Sequence, residues 1–219
     1  MKEFSSKDQL DQALCDDLVK IIQRAISKNG SANILLSGGS SPIRLYELMS
    51  NAEISWSKVL IGLVDERFVT SIDEFSNEKM IREKLIQNNA FSARFVGMVA
   101  NSLDQIENVK FISIKYQPFM QKVDLVLLGM GEDGHTASLF PNDEVSEQLL
   151  RSSEIGIYNT ISPNFPNKRI TCSAAMLLEA ENIVLMLSGE KKLQVFETSA
   201  ENQLPISFFK DKLKVYYSI

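Results

Sequence analysis

Largely apolar runs at residues 32–36, 59–64 and 123–128 each stop abruptly at a short polar, charged or glycine-rich segment. Between them lie stretches whose apolar residues recur at helical spacing. In residues 7–28 the positions are Leu10, Leu14, Leu18, Ile21, Ile22 and Ala25, and Gly30 follows as a stop signal. Strands that alternate with amphipathic helices leave few choices of architecture. They predict an α/β protein with a doubly wound, mostly parallel sheet and helices on both faces.

The rest of the chain fits the same alternation. Pro42 suits the first turn of a helix that continues through residues 44–49, because its missing N–H has no partner to lose there. Ser76 reads as the N-cap of a helix through Asn88, with Glu78 early in it. Residues 95–99 read as a third strand, 155–161 and 170–172 as further strands, and 173–180 as a helix. Residues 183–187 read as a strand, Gly189 opens another helix, and residues 214–218 close the chain as a strand. Residues 101–121 carry no clear pattern, and the stretch from Ser138 to about 150 reads as mixed loop and helix. No repeat, low-complexity stretch or linker divides the chain, so residues 1–219 are expected to form a single domain.

Composition narrows the function classes. A chain that is 44% hydrophobic and 23% charged can bury a core without staples. A net charge of -5 argues against nucleic acid and acidic membranes as partners, so an anionic ligand would need positive charge gathered locally. No apolar run approaches the roughly 18 residues of a membrane span. The first residues lack the apolar segment of a signal peptide, and Cys15 and Cys172 are far apart with no metal-ligand spacing. These features suit a cytoplasmic protein. It is expected to be a monomer or weak homodimer acting on a small molecule.

In an open α/β sheet, ligands bind beyond the carboxyl ends of the strands, and three motifs stand there. The first is Ser37-Gly38-Gly39-Ser40-Ser41-Pro42. It reads either as a serine-capped tight turn or as an anion cradle, in which glycines allow close approach and a helix N-terminus favours negative charge. It is neither of the glycine patterns that mark nucleotide sites. The second is Asp65-Glu66-Arg67, which reads as a solvated ion pair or as a guanidinium placed for a phosphate or an oxyanion. The third runs from Gly129 to Ser138 and contains His135, the only histidine. Histidine exchanges protons near neutral pH because its unperturbed pKa is about 6.5. One histidine without cysteine partners does not suggest a metal site, and no GxSxG elbow suggests a serine triad.

Taken in this order, the motifs resemble the phosphogluconolactonase branch of the glucosamine-phosphate isomerase/phosphogluconolactonase superfamily. The matching segments are Leu36 to Pro42, Val64 to Val69, Ser76-Asn77, Asp124 to Pro141, Lys168 to Thr171 and Gly189 to Lys192. Ser41 stands where threonine is usual, and residues 101–121 and the last five residues depart from the pattern. The resemblance implies a Rossmann-like domain of the sugar-phosphate isomerase type. It implies hydrolysis of 6-phospho-D-glucono-1,5-lactone to 6-phospho-D-gluconate, a step of the oxidative pentose phosphate pathway, with no metal or organic cofactor.

In that scheme His135 takes a proton from water and returns it to the ring oxygen, and Arg67 steadies the oxyanion. Asp65 holds Arg67, and Asp133 either orients the imidazole or caps backbone N–H groups. Ser37, Gly38, Gly39, Ser40 and Ser41 receive the phosphate, with charge from Arg169 and Lys192. A rival within the superfamily is a glucosamine-6-phosphate deaminase/isomerase-like enzyme, which carries a glutamate after the histidine. Thr136 to Pro141 contain no carboxylate, and position 67 is arginine, which suits lactone hydrolysis better. A non-catalytic sugar-phosphate sensor would keep the phosphate loop without needing His135.

Overall fold

The computed structural model describes residues 1–219. Its first strand, β1 (Lys2–Phe4), leads into helix α1 (Lys7–Asn29), which buries Leu10, Leu14, Leu18, Ile22 and Ala25. Ser6 caps α1 by accepting from the N–H of Gln9, and Gly30 ends it at φ 80°, a left-handed conformation that costs glycine little. Strand β2 (Ala32–Leu36) and helix α2 (Ile43–Ser50) follow, with Pro42 as the N-cap, just before the first turn in which the sequence places it. Then come β3 (Val59–Leu63), β4 (Asp65–Arg67), α3 (Asn77–Lys84) and β5 (Arg94–Val96). The patternless stretch forms two helices, α4 (Gln105–Lys115) and α5 (Gln117–Gln121). Beyond them lie β6 (Leu125–Leu128), α6 (Glu144–Arg151), β7 (Ile157–Ile161), β8 (Lys168–Cys172), α7 (Ala174–Leu178), β9 (Ile183–Ser188), α8 (Glu190–Thr198) and β10 (Leu213–Ser218).

Seven strands form one parallel sheet in the order β1-β10-β9-β6-β2-β3-β5. Every residue of β3 and β6 is buried, as parallel strands require when both faces are covered. Their side chains join a contiguous core of 52 buried residues. From β2 the chain proceeds outward to β3 and β5, and from β6 it proceeds the other way to β9 and β10. The sheet therefore changes direction between β2 and β6, and a crevice opens at their carboxyl ends. The segments leaving that crevice are the 37–41 loop and the His135 loop.

Three further strands make a separate antiparallel sheet in the order β4-β8-β7. The chain crosses to it at Val64, whose N–H donates to Leu36 O and whose carbonyl accepts from Cys172 N. Asp65-Glu66-Arg67 is thus a strand in its own right, which the sequence reading treats as the end of its predecessor. Helix α3 stops at Lys84, short of Asn88, where φ is 47° and incompatible with a right-handed helix. No helix is long and apolar enough to cross a membrane.

Candidate active site

A cavity of about 400 Å³ occupies the crevice, bounded by the 37–41 loop, the His135 loop, the small sheet and the start of α8. Ser37, Gly38, Gly39, Ser40, Ser41, Asp65, Arg67, His135, Arg169 and Lys192 all line it. Of the residues singled out in the sequence, Asp133 alone does not, because it stands behind the imidazole.

The 37–41 loop is held from beneath. Ser37 N donates to Leu127 O, and the buried Tyr46 hydroxyl donates to Ser37 O at 2.6 Å. Gly38 has no room for a side chain, since a Cβ would fall 1.8 Å from Asn77 Oδ1. Gly39 takes φ 86°, which turns the chain toward α2. The hydroxyls of Ser40 and Ser41 make no hydrogen bond within the chain, which leaves them free toward the cavity.

His135 is fixed by the carboxylate two residues before it. Asp133 Oδ1 accepts from the His135 backbone N–H at 3.1 Å and lies 2.5 Å from Nδ1. Asp133 therefore both orients the imidazole and caps the backbone. A carboxylate partner places the proton on Nδ1 and leaves the lone pair on Nε2. Burial raises the pKa of the Asp133 carboxyl, but the hydrogen bond and charge of His135 and the backbone N–H groups outweigh it, leaving the pKa below its usual value. Phe140 packs against the ring at 4.8 Å between centroids. Gly131 is required beside it, because a Cβ there would lie 2.2 Å from two ring atoms.

Asp65 does not hold Arg67, contrary to the expectation above. Its Oδ2 accepts from Ser138 Oγ at 2.5 Å, and no ion pair joins it to either arginine. Arg67 is steadied instead by the carbonyl of Phe75, to which its guanidinium donates at 2.6 Å. Adjacent side chains on a strand point to opposite faces, so Asp65 and Arg67 share a face of β4 while Glu66 turns away. Glu66 accepts from the N–H groups of Arg67, Asn77 and Glu78 and from Ser76 Oγ, tying β4 to the start of α3. Burial pushes the Glu66 carboxyl up to about 7, and those backbone donors oppose the rise.

Arg169 is 7% exposed and pairs in register with Arg67 across β4 and β8. Its Nε has no hydrogen-bond partner, and its Nη2 donates to Ser162 Oγ at 3.4 Å. Burial lowers its pKa, the charge of Arg67 lowers it further, and Asp65 and Glu66 pull the other way. Lys192 reaches the cavity from the first turn of α8, whose neighbour Lys191 pairs with Glu132 at 2.5 Å. Asn77, Ser138, Phe140 and Ser162 also shape the site. Sequence reasoning did not pick them as site residues, because a buried asparagine or serine carries no local signal of its tertiary neighbour.

Residues 5–217 match the family of glucosamine-6-phosphate isomerases and 6-phosphogluconolactonases. The chain belongs to this family. It is 34% identical over 205 residues to a 6-phosphogluconolactonase of Helicobacter pylori, covering 94% of this chain and 88% of that protein. It is 34% identical over 197 residues to one of Mesorhizobium japonicum, covering 89% of this chain and 82% of that protein. The crystal structure of a 6-phosphogluconolactonase from Shewanella baltica superposes with a TM-score of 0.93 at 33% identity, covering 100% of this chain and 97% of that one. The seven-stranded sheet and its flanking helices are thus the fold of the family's lactonases.

Proposed function

We propose that the chain hydrolyses 6-phospho-D-glucono-1,5-lactone to 6-phospho-D-gluconate. The observation that carries this reading is the Asp133–His135 pair beside a cavity rich in cationic donors, with no carboxylate in Thr136 to Pro141. Isomerisation needs a base that moves protons between carbons. Lactone hydrolysis needs one activated water and a place for the oxyanion, and a histidine base with a guanidinium lining the same cavity supports that chemistry.

Water attacks the C1 carbonyl while His135 Nε2 takes its proton, and Asp133 stabilises the imidazolium that results. Arg67 donates to the tetrahedral oxyanion, an interaction that typically contributes about 10²–10³ in rate. Collapse re-forms the carbonyl and breaks the bond from C1 to the ring oxygen, which receives the proton back from His135. The phosphate rests on the 37–41 loop at the start of α2, with Arg169 and Lys192 supplying charge. Two buried free cysteines support a cytoplasmic location, and the acidic net charge argues against nucleic acid as a partner; we take the enzyme to act on a small molecule as a monomer or weak homodimer.

The test is lactone hydrolysis above the spontaneous background, with and without chelator, beside a deaminase assay on glucosamine 6-phosphate. Chelator-insensitive lactonase activity is expected. Deaminase activity alone would replace the reading, and binding without turnover would favour a sensor.

A further inference from the structure

The cavity holds two kinds of polar group. Arg67, Arg169 and Lys192 only donate hydrogen bonds. Asn77 presents an acceptor. It is the first residue of α3, its backbone N–H is committed to Glu66 Oε1 at 2.8 Å, and its side chain is 2% exposed yet lines the cavity beside Gly38. The orientation of its amide is set by chemistry. Nδ2 donates to Asp65 O at 3.0 Å, and a flipped amide would press Oδ1 against that carbonyl, acceptor against acceptor. Oδ1 accepts no hydrogen bond from the protein, and it is not among the partnerless side-chain atoms sealed from solvent. It therefore opens to the cavity. Such an acceptor pairs with a hydroxyl donor rather than with another acceptor.

We propose that Asn77 Oδ1 accepts a hydrogen bond from a hydroxyl on C2, C3 or C4 of the bound sugar phosphate and makes the site select a polyhydroxylated sugar phosphate rather than any phosphorylated lactone. This rests on the reading of the cavity as a phosphosugar site. Asn77 is a specificity-determining residue that touches substrate without taking part in proton transfer. A site built to pair with a hydroxyl rejects an analogue lacking it, because the buried acceptor is left unpaired.

The experiment is equilibrium binding of 6-phosphogluconate and its 2-deoxy, 3-deoxy and 4-deoxy analogues to the full chain and to the Asn77→Ala and Asn77→Ser variants. Wild type is expected to bind one analogue about tenfold more weakly than the parent, and both variants are expected to lose that discrimination. A purely structural asparagine would weaken all four ligands in parallel and keep the discrimination, which overturns the proposal. Wild type that treats all four alike, or binds none, overturns it without recourse to a variant. Wild type that discriminates among the ligands but does not hydrolyse the lactone supports the hydroxyl contact while sinking the lactonase reading.

Discussion

Arg67 and Arg169 sit opposite each other on neighbouring antiparallel strands, and no carboxylate forms an ion pair with either. Two like charges in register destabilise a sheet, and the unpartnered Nε of Arg169 adds the cost of a buried donor. Such an arrangement is stable enough to persist only because the rest of the fold holds it, and an anion bound beside the two guanidinium groups would relieve it.

Replacing Arg169 by Met should therefore stabilise the ligand-free protein by about 1 kcal/mol. At about 100 Kd of 6-phosphogluconate, wild type should gain about 2.7 kcal/mol, and the variant at the same ligand concentration should gain little. Thermal melts with and without ligand check both halves. A variant that melts lower without ligand, or keeps the full ligand-induced shift, contradicts this account.

Asp133→Asn should leave the fold intact and lower kcat by about 10²–10⁴, since an amide no longer favours the Nδ1–H tautomer or the imidazolium. KM should change little. The Asp133 carboxyl lies below its usual value, so its contribution to stability is present above the ordinary carboxylate range and is lost only as pH falls through its lowered value. Steady-state rates of both proteins across pH, corrected for spontaneous hydrolysis, test the loss in kcat. Full activity in the variant would remove Asp133 from the mechanism.

Glu66 titrates in the opposite sense. Its folded value, pushed up to about 7, exceeds the ordinary 4.5, so its contribution is fully present below about 4.5 and is lost as pH rises through 7. Wild type should lose more stability between pH 5 and pH 8 than Glu66→Gln, which cannot titrate. Urea midpoints at both pH values measure the difference. If the gap between the two proteins is the same at both, Glu66 does not titrate in this window.

Gly131→Ala should abolish most activity, because the new methyl group occupies the place of the imidazole. The crowding should cost about 1–3 kcal/mol of stability. A variant with wild-type kcat would show that the ring need not stand where the structure has it.

The strands of the large sheet and their polar ends were legible because periodicity and strand-end chemistry are local properties of the chain. The same holds for His135, the 37–41 loop and the capping of α3 by Ser76. The two helices in residues 101–121 are not legible in the sequence. Helix α4 leaves Ile106, Phe111 and Ile114 exposed while burying Asn108, so its polarity runs against the pattern that marks a helix.

The sequence by itself determined that this is an α/β chain with three reactive strand ends, because each of those signals is complete within a few consecutive residues. Only the tertiary structure decided what those ends do to one another. The three residues of β4 become a strand by pairing with β8, about a hundred positions away. That pairing sets Arg67 against Arg169, and the packing around it gives Asp65 to Ser138 rather than to Arg67. Such partnerships depend on which backbones are brought within hydrogen-bonding reach, and that is a property of the assembled core rather than of any one segment.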